Sequence, residues 1–435
     1  MTADEAGSPP RASTAKAPAT ESQGPQASGG SGGSLPRAST AKAPATESQG
    51  PQATGGPGGS LPRASKVRVA VVGTGSWAQR AHIPGWQRDP RAEVVALADV
   101  DPAALATAAS EFGVPRVTAD YTELLGDPDI DVIDVVTGNR PHFQASWDAL
   151  SAGKHVLCEK PVHNDYRKTR QAAALAAERG LRTKLGFTFR YAPAIQYAKE
   201  LIDSGFVGEP YIFNGFEQNS QWLDPATPLR QVDPGADPGQ IAVSSIEGYG
   251  APIIDIMHWW VGAPLASVVG TMRNFVPERM IRDTGRMTRA NIDDGDMWIA
   301  EFSSGALASI QSSYVTVGNY PGIEARIYGS AGAIIVRLVD EFGCCQTIKT
   351  ARGDAVEFTD AEIPDRFFPP GGNSGEPWEY LFYSNLVAGF LDEICDNDRV
   401  SQGDFAQGAL VQETINAFEA SFRSRAWASF PLDAR

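Results

Sequence analysis

The chain has 435 residues, of which 42% are hydrophobic and 20% charged, and its net charge at pH 7 is −15. This composition is typical of a soluble globular protein with two or three domains. The acidic balance argues against binding to nucleic acid or to anionic membrane surfaces, since both require clustered Lys and Arg. We find no apolar run of about 18 residues and no export signal, so we expect a cytoplasmic protein without a membrane span. Its four cysteines lack metal-site spacing and are expected to be reduced thiols.

The first 64 residues differ from the rest of the chain. Residues 11–36 recur as residues 37–62 with two changes, and the repeat is rich in Ala, Pro, Gly, Ser and Thr. Such a composition buries too little apolar surface to offset chain entropy, and it has no apolar positions on which repeats could stack. We therefore predict a disordered tail over residues 1–64.

Strands and helices alternate in the next segment, residues 65–187. The runs KVRVAVVG, AEVVALAD, DVIDVVT, KHVLCE and TKLGF read as buried strands, and alanine-rich helical stretches separate them. This alternation predicts an α/β domain with a doubly wound parallel sheet, whose ligands bind at the carboxyl ends of the strands.

The remaining segment, residues 188–435, has a different pattern. Runs such as PYIFNGFEQ, DMWIAEF and IEARIYG follow one another mostly without helices, and the last 60 residues return to helical spacing. We predict a second, α+β domain with a mainly antiparallel open sheet.

A glycine motif follows the first strand. VVGTGSWA places Gly73, Gly75 and Ala78 in the G-x-G-x-x-G/A pattern between a strand and a helix, where backbone N–H groups meet a dinucleotide diphosphate. Asp99 ends the second strand, where a carboxylate accepts hydrogen bonds from the ribose hydroxyls and repels a 2′-phosphate, which favours NAD over NADP. The cofactor contacts predicted at this turn are Gly73, Thr74, Gly75, Ser76 and Trp77.

Further motifs resemble the glucose–fructose oxidoreductase / inositol dehydrogenase / rhizopine-catabolism (Gfo/Idh/MocA) family of nicotinamide oxidoreductases. They are TGNRPH after a middle strand, CEKP closing another strand, and GFTFRY opening the second domain. The resemblance implies hydride exchange between a nicotinamide and a secondary alcohol or carbonyl, commonly of a sugar, polyol or sugar-like acid. It also implies a homodimer or homotetramer. The additional cofactor contacts that it implies are Thr137, Asn139, His142, Glu159, Lys160 and Arg190, with Tyr191 as a substrate contact.

Lys160 is the expected acid–base residue. Its ammonium would lie at the carboxyl edge of the sheet and hydrogen-bond the substrate oxygen, and a cationic nicotinamide nearby would lower its pKa for proton transfer.

The stretch EGYGAPIIDIMHWWVG departs from the family pattern, a helix with Asp-x-Gly-x-His-x-x-Asp. If Asp255 is the first Asp, His258 arrives one residue early. If Asp255 is the last, the family's Asp and His positions hold Gly248 and Pro252. We favour the second register, which makes Asp255 and His258 the polar side of a helix, and Glu247 or Tyr249 could then supply the missing acid–base group. The catalytic candidates are Lys160, Tyr249, Asp255 and His258.

A long loop over residues 219–246 precedes this stretch and is rich in Pro, Gly and Asp. Such loops often form lids or walls of a site, so Gln221, Trp222 and Arg230, together with Glu247, are the expected contacts for a carbohydrate-like substrate. Two alternatives remain open: a catalytically impaired nucleotide-binding protein, and an enzyme that uses retained NAD for transient oxidation.

Overall fold

The computed structural model describes residues 66–229, 241–282, 284–318, 322–339, 345–396 and 398–433. The predicted tail and the predicted substrate contact Arg230 lie outside these ranges. Within the ranges, no helix has the length and apolar character needed to cross a membrane. The same part of the chain brings no three His, Cys, Asp or Glu side chains together in a way that could hold a metal ion.

The first half of the fold is a six-stranded parallel sheet in the order β3-β2-β1-β4-β5-β6. The order reverses between β1 and β4, and this switch point opens a crevice at the carboxyl ends of the strands. The doubly wound α/β prediction is therefore confirmed. The strands are β1 (Val67–Val72), β2 (Ala92–Ala98), β3 (Val117–Thr118), β4 (Val132–Val135), β5 (His155–Cys158) and β6 (Thr183–Leu185).

Helices connect these strands, and local sequence sets their ends. Asp101 caps α2 by accepting hydrogen bonds from the N–H groups of Ala103 and Ala104, and Pro102 occupies the first helical position, where its missing N–H costs nothing. A π-helical turn (Ala78–His82) leads into α1. The helices are α1 (Ile83–Arg88), α2 (Pro102–Phe112), α3 (Thr122–Leu125), α4 (His142–Ser151) and α5 (Tyr166–Glu178).

The second half contains a nine-stranded sheet in the order β16-β15-β14-β13-β7-β12-β11-β8-β17, with β9 and β10 as a separate hairpin. Its pairs are antiparallel except the central pair β7–β12, so the predicted mainly antiparallel sheet is confirmed. The strands are β7 (Pro210–Gln218), β8 (Leu265–Arg273), β9 (Glu278–Ile281), β10 (Arg286–Arg289), β11 (Gly295–Phe302), β12 (Leu307–Ser313), β13 (Gly322–Gly329), β14 (Gly332–Val339), β15 (Cys345–Arg352), β16 (Thr359–Asp360) and β17 (Ala428–Ser429).

Four further α-helices follow in the part of the chain that the structure describes: α6 (Pro193–Asp203), α7 (Ala251–Val261), α8 (Trp378–Cys395) and α9 (Phe405–Ser424). Helix α7 packs on β7 and α9, and α9 also packs on α5 and β8. Helix α8 packs on α1, and its apolar side chains complete the core on one face of the parallel sheet. The carboxyl edge of the first sheet therefore faces the start of α7.

Candidate active site

The glycine turn after β1 lets the neighbouring backbone approach closely at Gly73 and leaves open space at Gly75. Gly73 has φ +95°, and a Cβ there would stand 2.6 Å from the carbonyl carbon and oxygen of Val136, so only glycine fits. Gly75 and Ser76 are exposed, and the space around Gly75 is open. The small third residue of the motif, Ala78, is fully buried. These features leave a backbone cradle of the kind that receives a diphosphate.

Asp99 is held beside this turn at the end of β2. Its Oδ2 accepts hydrogen bonds from the backbone N–H of Thr74 at 2.5 Å and from its Oγ1 at 3.0 Å, while Oδ1 accepts from the N–H of Asp101 at 2.9 Å. A carboxylate oxygen has two acceptor sites, so these bonds orient the group and leave capacity for ribose hydroxyls.

Thr137, Asn139 and His142 follow β4 on the same edge. Asn139 is exposed, whereas His142 is buried and its ring lies between two carbonyl oxygens. Nδ1 is 2.8 Å from the oxygen of Pro161 and Nε2 is 3.0 Å from that of Thr137. His142 thus joins the loop after β4 to the segment after β5.

Glu159 belongs to a buried charge cluster that the sequence reasoning missed. The His82 ring lies with Nδ1 2.9 Å from both oxygens of Asp134 and Nε2 3.1 Å from Oε1 of Glu159. Burial would lower the pKa of His82, but hydrogen bonds and charges of the two carboxylates raise it to about 9. Burial would likewise raise the pKa of Glu159, but His82 and the neighbouring cation of Lys160 lower it to about 2.

Aromatic donors complete this cluster. Tyr383 and the indole N–H of Trp77 each donate to Oε1 of Glu159 at 2.9 Å, and the indole N–H of Trp86 donates to Asp134 at 2.7 Å. Glu159 and Trp77, both predicted cofactor contacts, therefore already bind one another. This bond ties the turn after β1 to the strand end that precedes Lys160.

Lys160 reaches from β5 to the second half of the fold. Its Nζ donates a hydrogen bond of 2.5 Å to the carbonyl oxygen of Gly248, which lies in a π-helical turn (Ile246–Gly250) that runs into α7. In an α-helix the N–H four residues later would take this carbonyl. That residue is Pro252, which has no N–H, so it cannot compete with Lys160.

Two buried carboxylates, absent from the predicted site, lie beneath this turn. Asp296, Ser312 and Glu217 are directly opposite one another on the adjacent strands β11, β12 and β7. Ser312 donates to Oδ2 of Asp296, while Oδ1 of Asp296 and Oε2 of Glu217 are buried without a hydrogen-bond partner. The available signal was a charged residue at an inward position of each strand, since Phe213, Gly215 and Glu217 alternate as the buried face of β7.

Burial raises the pKa of both carboxyls well above the usual value, and the charge of Lys160 opposes this rise at Glu217. Burial also raises the pKa of the predicted site residue Glu247, against a hydrogen bond from Gln412 and the charge of Lys160. The lysine ammonium therefore lies within electrostatic reach of two carboxyl groups from different elements.

Asp255 and His258 bind separate partners rather than each other. Both oxygens of Asp255 accept from the guanidinium of Arg190, at 2.8 and 2.5 Å, and both residues are buried. His258 lies 2.8 Å from the hydroxyl of Thr414, and burial, with the charge of Arg190, lowers its pKa to about 3. Gly248, rather than Asp255, is the residue of this helical segment that meets Lys160.

An aromatic cluster forms one wall near the turn. Trp222 lies 5.7 Å from Tyr249 and 5.4 Å from Tyr314 between ring centroids, and the hydroxyl of Tyr249 donates to the side chain of Gln221 at 2.6 Å. Three residues predicted for the site, Gln221, Trp222 and Tyr249, are thus brought together. Tyr191, in contrast, is buried with its hydroxyl on the carbonyl of Gln402.

Comparison with protein families gives two matches. Residues 67–187 match the model of an oxidoreductase family with an NAD-binding Rossmann fold, GFO_IDH_MocA. Residues 195–335 match the GFO/IDH/MocA C-terminal domain.

Among curated proteins, levoglucosan dehydrogenase of Pseudarthrobacter phenanthrenivorans is 27% identical over 55% of this chain, and the match spans 63% of that protein, just under two thirds. The scyllo-inositol 2-dehydrogenase (NAD(+)) of Bacillus subtilis is 27% identical over 69% of this chain and 80% of its own length.

Among solved structures, an oxidoreductase domain protein from Kribbella flavida matches with a TM-score of 0.74 and 26% identity, covering 84% of this chain and 100% of that one. Levoglucosan dehydrogenase in complex with NADH matches with a TM-score of 0.72 and 22% identity over 84% of this chain and 100% of that one. The latter likeness is one of fold.

Proposed function

The chain belongs to the Gfo/Idh/MocA family of NAD-binding oxidoreductases, and from that premise we propose that it transfers hydride between NAD and a secondary alcohol or carbonyl of a sugar, polyol or sugar-like acid, with Lys160 as its acid–base residue. The observation that carries the proposal is the position of the Lys160 ammonium, which bridges the carboxyl edge of the parallel sheet and the helical turn at Gly248. The division into a cofactor domain over residues 65–187 and a substrate domain over residues 188–435 is part of the same proposal.

The residues of the glycine turn fit NAD. A side chain at Gly73 would overlap the backbone of Val136, Gly75 leaves open space, and Asp99 keeps free acceptor capacity for a ribose diol. We assign diphosphate contacts to the backbone of residues 73–77 and ribose contacts to Asp99. When bound, NAD supplies the hydride acceptor or donor.

Lys160 holds the substrate oxygen and moves its proton. An ammonium group donates three hydrogen bonds, of which Gly248 takes one, so two remain for substrate. Glu247 and Tyr249 lie in the same turn as Gly248, and their side-chain oxygens suit substrate hydroxyls as acceptors, with Trp222 as an apolar wall beside them. Asp255 and His258 then serve the packing of α7.

Two measurements test the proposal in sequence. Melting of the purified protein with NAD, NADH, NADP and NADPH comes first, and NAD or NADH should raise the melting temperature more than the phosphorylated forms. Oxidation of a panel that includes levoglucosan and scyllo-inositol follows. The absence of a shift with every cofactor would refute the site at Gly73 and Asp99.

The substitution Lys160→Met tests the acid–base role. It should lower kcat by roughly 10²–10⁴-fold, the usual contribution of a positioned proton-transfer group, while the NAD-induced melting shift persists. Lys168→Met on the exposed face of α5 is the matched control and should leave kcat unchanged. Unchanged turnover in Lys160→Met would contradict the assignment.

A further inference from the structure

We propose that Gln412 is a positioning residue of this site, which holds the carboxylate of Glu247 where it receives a hydroxyl of the substrate. The inference deepens the proposed function and rests on it, because it takes Glu247 as a substrate contact beside Lys160. It adds a residue from the last long helix, α9, to a site that otherwise comes from the parallel sheet and the turn before α7.

Gln412 and Asn416 stand about one turn apart on α9. A spacing of four residues places two side chains on the same face of an α-helix, and α9 packs on α5 and on the π-helical turn (Ile246–Gly250). Gln412 is only 3% exposed. A buried amide is costly unless its polar atoms find partners, so the place of this side chain in the core depends on the groups that it binds.

The amide nitrogen of Gln412 joins two segments of the chain. Nε2 donates to the carbonyl oxygen of Asn164 at 3.0 Å and to Oε1 of Glu247 at 3.0 Å. Both partners are acceptors and an amide nitrogen carries two N–H groups, so the nitrogen end of the side chain is the end that fits between them. Gln412 therefore ties Glu247 to the loop that follows Lys160.

Gln412 and Lys160 hold adjacent residues of one turn. The Nζ of Lys160 donates to the carbonyl oxygen of Gly248, and Gln412 donates to the side chain of Glu247. Lys160 and Gln412 also line the same small cavity, between α9 and the segment after β5. The acid–base lysine and the carboxylate of Glu247 are thus fixed on the same turn by two separate hydrogen bonds.

The charges around Glu247 show what the bond from Gln412 contributes. Burial raises the pKa of Glu247, whereas the hydrogen bond from Gln412 and the charge of Lys160 lower it. Glu419 on α9 raises this pKa, and Glu217 lies buried on β7, which also packs against the turn. The bond from Gln412 therefore favours the ionised carboxylate, the form that binds a hydroxyl most strongly.

Asn416 provides a matched control on the same helix. Its Nδ2 donates to the same carbonyl oxygen of Asn164 at 3.0 Å, and its side-chain oxygen accepts from the N–H of Tyr166 at 3.2 Å. These bonds go to the loop after β5 and the start of α5. Removal of either amide leaves the Asn164 carbonyl with the other one, so the two variants differ in the bond to Glu247.

The first experiment measures kinetics on the panel polyol that the wild type oxidises best. For Gln412→Met and for Glu247→Gln we expect KM to rise by roughly 10–100-fold, the effect of losing a hydrogen bond to a charged group. We expect kcat to stay within about twofold, because the bond acts on substrate binding. The double variant should have the KM of Glu247→Gln alone, since Gln412 acts through Glu247. Asn416→Leu should keep both KM and kcat.

The pH profile and the stability give independent readouts. Without the bond from Gln412 the pKa of Glu247 should be higher, so the acidic limb of kcat/KM should move to higher pH in Gln412→Met and be lost in Glu247→Gln. In urea unfolding, the double variant should lose less stability than the sum of the two single losses, because each single variant already removes the shared bond. Asn416→Leu combined with Glu247→Gln should give additive losses.

The outcomes separate the two proposals. If the wild type neither binds NAD nor oxidises any polyol of the panel, the proposed function fails and the inference fails with it. If the wild type is active but Gln412→Met keeps its KM, or its effects on KM or on stability add to those of Glu247→Gln, Gln412 does not position Glu247. A raised KM that the double variant does not raise further, with a shifted acidic limb, supports the assignment. All variants should keep the NAD-induced melting shift, and Gln412→Glu replaces Gln412→Met if that protein does not fold.

Discussion

His82 lies sealed between the carboxylates of Asp134 and Glu159, with Tyr383 against its second ring nitrogen. The cluster joins β4, β5, the turn before α1 and helix α8, and Glu159 is the neighbour of Lys160 in the chain. A charged histidine between two acids therefore fixes the strand end from which the lysine projects.

The ionisation of His82 predicts how stability depends on pH. The carboxylates of Asp134 and Glu159 raise its folded-state pKa to about 9 from the ordinary histidine value of 6.5. The stabilisation is fully present below the unfolded pKa and is lost as pH rises through the folded pKa, and it amounts to the order of 3 kcal/mol. We expect the free energy of unfolding, measured with urea, to fall between pH 6.5 and pH 9 in the wild type.

His82→Gln should flatten this decline. His163→Gln is the control, since burial lowers the pKa of His163, so that its folded-state titration lies below this window. A wild-type stability that stays level as pH rises would show that His82 is not held as a cation.

The helical segment at Pro252 shows how an element can serve a side chain from elsewhere. The π-helical turn (Ile246–Gly250) continues into α7, and in an α-helical register the N–H of residue 252 would bond the Gly248 carbonyl, a donor that proline lacks. The carbonyl accepts Lys160 instead. A residue that looks like the loss of a functional group therefore leaves an acceptor for Lys160.

Pro252→Ala tests this relation. The new N–H should compete with Lys160 for the Gly248 carbonyl and shift the ammonium, so kcat should fall by up to about 100-fold, the effect of a small misplacement of a reacting group, while NAD binding persists. Pro102→Ala at the start of α2 is the control and should keep full activity. Undiminished turnover in Pro252→Ala would mean that the lysine does not depend on this carbonyl.

Some elements of the fold can be predicted from the sequence and others cannot. The strands of the parallel sheet and the glycine turn are readable because their signals lie within a few adjacent residues, as at Gly73. The parallel pairing of β7 with β12 cannot be read from the sequence, because it joins segments nearly a hundred residues apart. His82 and Tyr383 escape for the same reason, since each acquires its role from partners that only the fold brings near.

At the scale of the whole molecule, one face of the nine-stranded sheet is left uncovered by the residues that the structure describes. Met297, Ile299 and Leu307 are 58%, 49% and 50% exposed on β11 and β12. A contiguous apolar patch of this kind marks an association surface, and a face that meets its own copy gives a closed dimer. We expect the protein to be a homodimer or homotetramer that pairs through this face.

Ile299→Glu should shift the protein towards monomer, because an unpaired charge would be buried at the centre of the patch. Light scattering after size-exclusion chromatography gives the mass, and Val356→Glu, at a position that is 98% exposed outside the sheet, is the control. A wild type that is monomeric at all concentrations would contradict the expectation.

Helix α8 is synthesised long after the parallel sheet whose core it completes. Its side chains, among them Tyr383, Val387 and Phe390, close the core on one face of the parallel sheet, yet Trp378 follows Leu185 by 193 residues. At about 5–20 residues per second this interval is roughly 10–40 s. Throughout it the nascent sheet presents Val69 and Val71 without their final cover, so the emerging chain exposes apolar surface of the kind that chaperones bind until its late helix docks.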